Sequence, residues 1–150
     1  GEIVTLTTPN DLHMQVVDLA GVDLAAEKRM GAERGMRVSI FGSTTGAAYL
    51  STLAHREIRR LADRARLPTL EEARIIAWLN TVRRDGIADG LSSEESLRSL
   101  AIPLQTETFT VPLVLGLAGP SERIQANLPH LQQLLREAAH RMADEEQANS

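Results

Sequence analysis

Between Gly42 and Gly46 the chain sets three hydroxyl residues in a row, Ser43, Thr44 and Thr45, just ahead of a segment with helical spacing. A helix that starts there leaves its first backbone N–H groups without intrahelical partners. Ser43 or Thr44 can cap one of them with a side-chain oxygen. Glycine on either side lets a ligand approach the backbone, and the positive end of a helix favours a negative group. A plain helix cap and a cradle for a carboxylate both fit these residues, and by themselves they leave the choice open.

Ser43 also invites a nucleophile reading. The stretch Gly42-Ser43-Thr44-Thr45-Gly46 lacks the strand–turn–helix elbow, which carries glycine two residues before and two after its serine. The histidines at 13, 55, 130 and 140 supply no triad spacing, and three of them fall on expected helices among polar neighbours. Glu137 and His140 have the Glu-x-x-His spacing that puts two ligands on one helix face. A carboxylate metal site draws on several helices, so a single copy reads as exposed helix surface. Neither a metal nor a cofactor is expected.

Arg56, Arg59, Arg60, Arg64 and Arg66 form a basic cluster without interleaved aromatics. The chain has 20 acidic against 16 basic residues, a net charge of −4, and one Trp, one Tyr and two Phe. Gripping nucleic acid requires a concentrated basic surface. The cluster reads as a solvated helix face, and DNA contact by this chain itself is not expected.

These groups must be positioned by a chain of 150 residues, 43% hydrophobic and 24% charged, which suits one soluble globular domain over residues 1–150. Cysteine is absent. Disulfide and thiolate chemistry are thereby excluded, and a cytoplasmic location is the expectation. No apolar run approaches the roughly 20 residues that cross a bilayer, and no basic-then-apolar leader precedes the first strand. The start at Gly1-Glu2, without methionine, reads as a piece cut from something longer.

Period-two alternation predicts strands at 3–8, 12–17 and 36–40, with a turn at Pro9-Asn10-Asp11, a break at Ala20-Gly21 and a further candidate strand over 25–30. Leu50, Leu53, Ala54, Ile58, Leu61, Ala62 and Ala65 then make one helical stripe that ends before Pro68. Thr69 and Glu72 have the spacing of a capping box for a second helix, which Arg83-Arg84-Asp85-Gly86 stops. A short strand at 87–90, a polar turn at 92–95 and long strands at 97–104 and 108–118 follow, joined near Gln105-Thr106-Glu107. Pro112 suits a strand start or bulge in the second of these. A last helix opens at Asn127-Leu128-Pro129, carries the stripe Leu128, Leu131, Leu135, Ala138 and Met142, and gives way to a solvated tail after Ala143. The order predicts an α+β fold, an antiparallel sheet with helices on one side.

In the two late strands, Leu100, Ile102 and Leu104 share a face, as do Leu113, Leu115 and Leu117. The opposite faces hold Ser99, Ala101, Gly116 and Ala118. Small side chains facing a covered volume either admit a closely packed helix or leave a hole that is normally occupied.

Four stretches in order resemble the effector-binding domain of the IclR family of bacterial transcription regulators. They are Gly35-Met36-Arg37-Val38-Ser39-Ile40-Phe41 through Gly46-Ala47-Ala48-Tyr49-Leu50, Val82-Arg83-Arg84-Asp85-Gly86-Ile87-Ala88-Asp89, Leu97-Arg98-Ser99-Leu100-Ala101-Ile102-Pro103-Leu104, and Leu115-Gly116-Leu117-Ala118-Gly119-Pro120-Ser121-Glu122-Arg123. The resemblance implies a GAF-like sheet with helices packed on it and a long C-terminal helix. It further implies a metabolite as partner, self-assembly as dimer or tetramer, and contact with DNA only through a winged helix-turn-helix absent from this chain. Departures include Ser39 and Phe41 for the usual proline and histidine, Ala47 for lysine, and Ile87 for tyrosine. By the resemblance, the ligand contacts are Ser43, Thr44, Thr45, Gly46, Asp89, Ser99, Gly116 and Ala118. Gly116 and Ala118 stand where some relatives hold a small keto acid with serines.

The expected function is therefore a non-catalytic sensor whose effector has a carboxylate near Thr44 and Thr45 and an apolar or aromatic body over Gly116 and Ala118. Two alternatives stand beside it: a small-molecule hydrolase or isomerase using Ser43 and Asp89, and an oligomerisation domain with a decayed pocket. The identity of the effector, the operator, and the sign of regulation are not written in these residues.

Overall fold

Short β-branched runs build the first hairpin. In the computed structural model, which describes residues 2–21, 33–91, 96–104 and 109–148, β1 spans Ile3–Asn10 and β2 spans His13–Gly21. Asp11, at φ 56°, makes the turn, a backbone shape that Asp tolerates better than most residues. β2 continues through Ala20 and Gly21 instead of breaking there, because Gly21 pairs with Ile3 and Ala20 with Val4. The register slips between Leu6 and Thr7, and Val17 is left without a partner as a bulge. β3, Arg37–Ser39, pairs with β2. The candidate strand at 25–30, the polar turn at 92–95 and the connection at 105–107 lie outside the described residues.

The apolar stripe from Leu50 to Ala65 predicts one helix, and the chain makes two: α1 at Thr44–Leu50 and α2 at His55–Arg64. Ser51 and Thr52 account for the split. Their hydroxyls donate to the carbonyls of Ala48 and Tyr49, each at 2.7 Å. The backbone tightens at the same place, with Thr52 N–H on Tyr49 O and Leu53 N–H on Leu50 O at 3.0 Å.

α3 covers Thr69–Asp85. Pro68 occupies the N-cap, so Thr69 is already helical and the expected capping box does not form. Glu71 and Glu72 still favour the positive helix end. Gly86, at φ 73°, closes the helix as its sequence suggested.

β4 (Ala88–Leu91), β5 (Leu97–Leu104) and β6 (Leu113–Pro120) follow. β6 begins at Leu113, just past Pro112, and not at Thr108; proline cannot donate to a ladder. Two helices end the chain, α4 at Ser121–Ala126, which the sequence analysis did not foresee, and α5 at Leu128–Ala148. From Asp144 to Ala148 the chain is helical and not a tail, consistent with its run of good helix formers such as Glu, Gln and Ala.

The six strands form one antiparallel sheet in the order β3-β2-β1-β6-β5-β4. Helices cover both faces, not one. Ala47, Ala48 and Leu50 of α1 pack with Leu79 and Val82 of α3 against Met14, Ala88, Ala101 and Val114. On the other face, Ile124 of α4 and the α5 stripe, centred on Leu135 and Ala139, cover Leu100, Leu104 and Leu115. The expected stripe residues Leu128, Leu131, Ala138 and Met142 flank that core. Among the described residues no helix is long and apolar enough to cross a membrane.

Candidate functional site

Partners across a sheet project to the same side. Ser99 is opposite Ala118 and Ala101 opposite Gly116, whereas Leu100 is opposite Leu117 and Ile102 opposite Leu115. The bulky set meets α4 and α5. The small set faces α1 and leaves a cavity of ≈ 290 Å³ beneath it. The space is a half-open cleft between α1 and the small-residue face of the sheet.

Helix α1 forms one wall. Ser43 is its N-cap in extended conformation, φ −134° and ψ 154°, and its Oγ accepts from the Gly46 N–H at 3.0 Å. The Ser43 hydroxyl donates in turn to the Ser39 carbonyl at 2.7 Å. Thr44 is 6% exposed, and its Oγ1 lies 2.5 Å from Ser99 Oγ on β5. Thr45 Oγ1 donates to Ser43 Oγ at 3.4 Å.

Five of the eight residues expected at the site line this cavity: Ser43, Thr44, Thr45, Ser99 and Ala118. Gly46 does not. A Cβ there would come within 2.0 Å of the Ile40 carbonyl oxygen, so the glycine lets α1 lie on the strand-to-helix connection. Gly116 is covered: a Cβ would meet Thr5 Oγ1 at 2.7 Å and Thr45 Cγ2 at 3.2 Å. Its missing side chain makes room for two threonines of the protein and not for a ligand.

Asp89 points the other way. It pairs with Leu100, on the α4 and α5 face of the sheet, and binds Arg98 with both oxygens, Nε–Oδ1 at 2.8 Å and Nη2–Oδ2 at 2.6 Å. This carboxylate raises the Arg98 pKa, mainly through its hydrogen bond. Arg98 also donates to Gln125 of α4. Asp89 borders a separate cleft, with Trp78 and Asp85 beside it. The neighbour that faces the cavity side is Gly90, where a Cβ would meet Thr44 Oγ1 at 2.6 Å and Trp78 Cζ2 at 3.1 Å.

The sequence analysis missed Thr5 and Thr7 of β1, Val16 of β2, and Met36, Val38 and Gly42, which complete the lining. A signal was present in β1, where threonine recurs at period two. Thr7 is only 2% exposed, and a buried hydroxyl on a core face is a familiar pointer to a polar interior.

Among the described residues no Lys, Arg, His, Asp or Glu lines the cavity. Elsewhere, His140 is held by Asp144 at 3.3 Å and Glu137 accepts from Gln133. Among the described residues no group of three or more His, Asp or Glu is placed to hold a metal ion. Arg56, Arg59 and Arg60 are exposed on α2, and Arg64 bonds Asp11.

A family model described as "Bacterial transcriptional regulator IclR C-terminal" matches residues 1–144. No curated protein matches the chain. Among solved structures, the transcriptional regulator YaiJ is similar at 18% identity with a TM-score of 0.82, over 97% of this chain and 86% of that one. A transcriptional regulator from Rhodococcus sp. RHA1 is similar at 19% identity and TM-score 0.83, over 99% of this chain and 64% of that one. The inducer-binding domain of PobR from Acinetobacter, a double mutant in complex with 3-hydroxybenzoic acid, is similar at 15% identity and TM-score 0.78, over 94% and 87%. At these identities the likeness is one of fold.

Proposed function

The chain belongs to the IclR C-terminal family of bacterial transcriptional regulators, and on that premise we propose that it senses a small molecule in the cavity beneath α1 and relays occupancy to a DNA-binding segment elsewhere in the regulator. The observation that carries the proposal is the ≈ 290 Å³ space itself, bounded by Ser43, Thr44, Thr45, Ser99 and Ala118. Gly46 and Gly116 set its walls without touching the ligand, and Asp89 takes no part. The complex of PobR with 3-hydroxybenzoic acid supports ligand binding by a domain of this shape.

The domain binds without turnover. A serine nucleophile needs a base within hydrogen-bond reach. The Ser43 proton is directed at the Ser39 carbonyl, and among the described residues no titratable side chain lines the cavity. The hydrolase or isomerase alternative has less support, since Asp89 faces the opposite side of the sheet from Ser43. Self-association as a dimer or tetramer is proposed on the family membership alone. A regulator that acts on DNA works in the cytoplasm.

Thermal denaturation against a broad metabolite panel tests the proposal, with Ala118→Leu as control. A ligand at 100 times its Kd adds about 2.7 kcal/mol to the wild type and nothing to the filled variant. Equal shifts in both proteins, or none in either, would leave an oligomerisation domain with a decayed pocket as the better account.

A further inference from the structure

β4 begins at Ala88, opposite Ala101 of β5. Past that pair, Ile102, Pro103 and Leu104 have β6 on one side and, among the described residues, no strand on the other. A half-open cleft of ≈ 380 Å³ lies at this bare edge, and it shares no lining residue with the cavity beneath α1. The end of α3 brings Arg83 to it from one face of the sheet, and α5 brings Arg136 from the other.

Backbone carbonyls hold both guanidiniums. Arg83 donates from Nε to the Ser51 carbonyl at 3.2 Å and from Nη2 to the Leu53 carbonyl at 3.4 Å. Its Nη1 donates to Asn80 Oδ1 at 3.4 Å. Arg136 Nη2 donates to the Asp85 carbonyl at 3.0 Å. A guanidinium has five N–H donors, so each keeps donors to spare. Its charge is also unspent, because carbonyls are neutral and among the described residues neither arginine forms an ion pair. The neighbouring carboxylates are engaged elsewhere, Asp85 with Arg84 at 3.1 Å and Asp144 with His140 at 3.3 Å. The C-terminal end of α3 disfavours an anion, but the Val82 carbonyl is covered by Gly86 N–H and the Asp85 carbonyl by Arg136.

The floor between the two arginines is apolar, formed by Val82, Ile102, Pro103, Leu104 and Ala139. Guanidiniums bind carboxylate and phosphate oxygens through charge-assisted, often two-pronged hydrogen bonds. Hydrocarbon gains by leaving water for such a floor. A cavity of roughly 150 Å³ accepts benzene, so the cleft has room for a substituted ring.

We propose that this cleft is a second ligand site, for a small organic oxyanion whose charged end lies between Arg83 and Arg136 and whose apolar body lies on Ile102, Pro103 and Leu104. An anion held by both arginines ties α3 to α5 across the sheet edge. The site stands independently of effector binding beneath α1.

Calorimetric titration of Ala118→Leu, in which the cavity beneath α1 is filled, with p-toluate, p-tolyl phosphate and p-toluamide compares two oxyanions with a neutral group on one ring. At least one oxyanion binds about tenfold tighter than p-toluamide, and which one does so tells a carboxylate site from a phosphate site. Adding Arg83→Gln or Arg136→Gln, which keeps an amide donor and removes the charge, abolishes that advantage. Amide chemical-shift mapping of the unsubstituted chain with the tighter oxyanion needs neither arginine variant, and its shifts include Gly86, Ile102, Leu104, Ala139 and Ala143. Binding by neither oxyanion, equal binding of oxyanion and amide, or an advantage that survives both Gln variants overturns the inference. So do shifts confined to Thr44, Ser99 and Ala118 and lost in Ala118→Leu, which would support the sensing cavity while removing the second site.

Discussion

Thr44 Oγ1 and Ser99 Oγ stand 2.5 Å apart and tie the start of α1 to β5 at the wall of the cavity. Both hydroxyls belong to one short chain that ends on the Gly90 carbonyl. Removing Thr44 Oγ1 strands part of that chain in a site only 6% exposed. Thr44→Val is expected to cost about 1–3 kcal/mol in urea unfolding. In a double-mutant cycle with Ser99→Ala the two changes should couple by about 1 kcal/mol. Strict additivity would mean the contact contributes nothing.

The two glycines that flank the site in the fold respond differently to a methyl group. Gly46→Ala drives a Cβ to 2.0 Å from the backbone oxygen of Ile40, and backbone cannot rotate away. We expect a loss of roughly 3 kcal/mol, at the upper end of ordinary overpacking. Gly116→Ala meets the Thr5 hydroxyl at 2.7 Å, which can turn, and should cost about 1 kcal/mol. Midpoints of urea unfolding at constant slope read the difference. A wild-type midpoint for Gly46→Ala would contradict the close approach of α1 to Ile40.

Asp89 fastens β4 to β5 through Arg98. Its two-pronged contact with Arg98 is sheltered, with side chains 30% and 18% exposed, and Arg98 reaches on to Gln125 of α4. Asp89→Asn should lower stability by about 1–3 kcal/mol, since a partly buried guanidinium loses its counter-charge. The Kd of any cavity ligand should stay within twofold of wild type. A tenfold loss of affinity without loss of stability would restore Asp89 to the site.

Much of the site was legible because its signals are local. Hydroxyls between glycines ahead of an apolar stripe announce a helix start, and Ser43 caps it. Period two alone separates Ser99 and Ala118 from Leu100 and Leu117. Asp89 was taken from the family pattern, and the same period-two rule puts it on the far face, with Gly90 on the near one. Thr5 and Thr7 looked like ordinary β-branched strand residues. Their direction depends on pairing with β6 and on the bulge at Val17, which are long-range facts. The helix break at Ser51-Thr52 was hidden for a different reason: the apolar spacing runs on across it, and only the hydroxyl bonds to Ala48 and Tyr49 end the turn.

Amide chemical-shift mapping with a hit from the metabolite panel tests the central claim most directly, that a small molecule enters beneath α1. The account predicts saturable shifts concentrated at Thr5, Thr7, Ser43, Thr44, Thr45, Ser99 and Ala118, all lost in Ala118→Leu. Shifts gathered instead at Trp78, Asp89 and Arg98 in the neighbouring cleft, or shifts that persist in the filled variant, would contradict it.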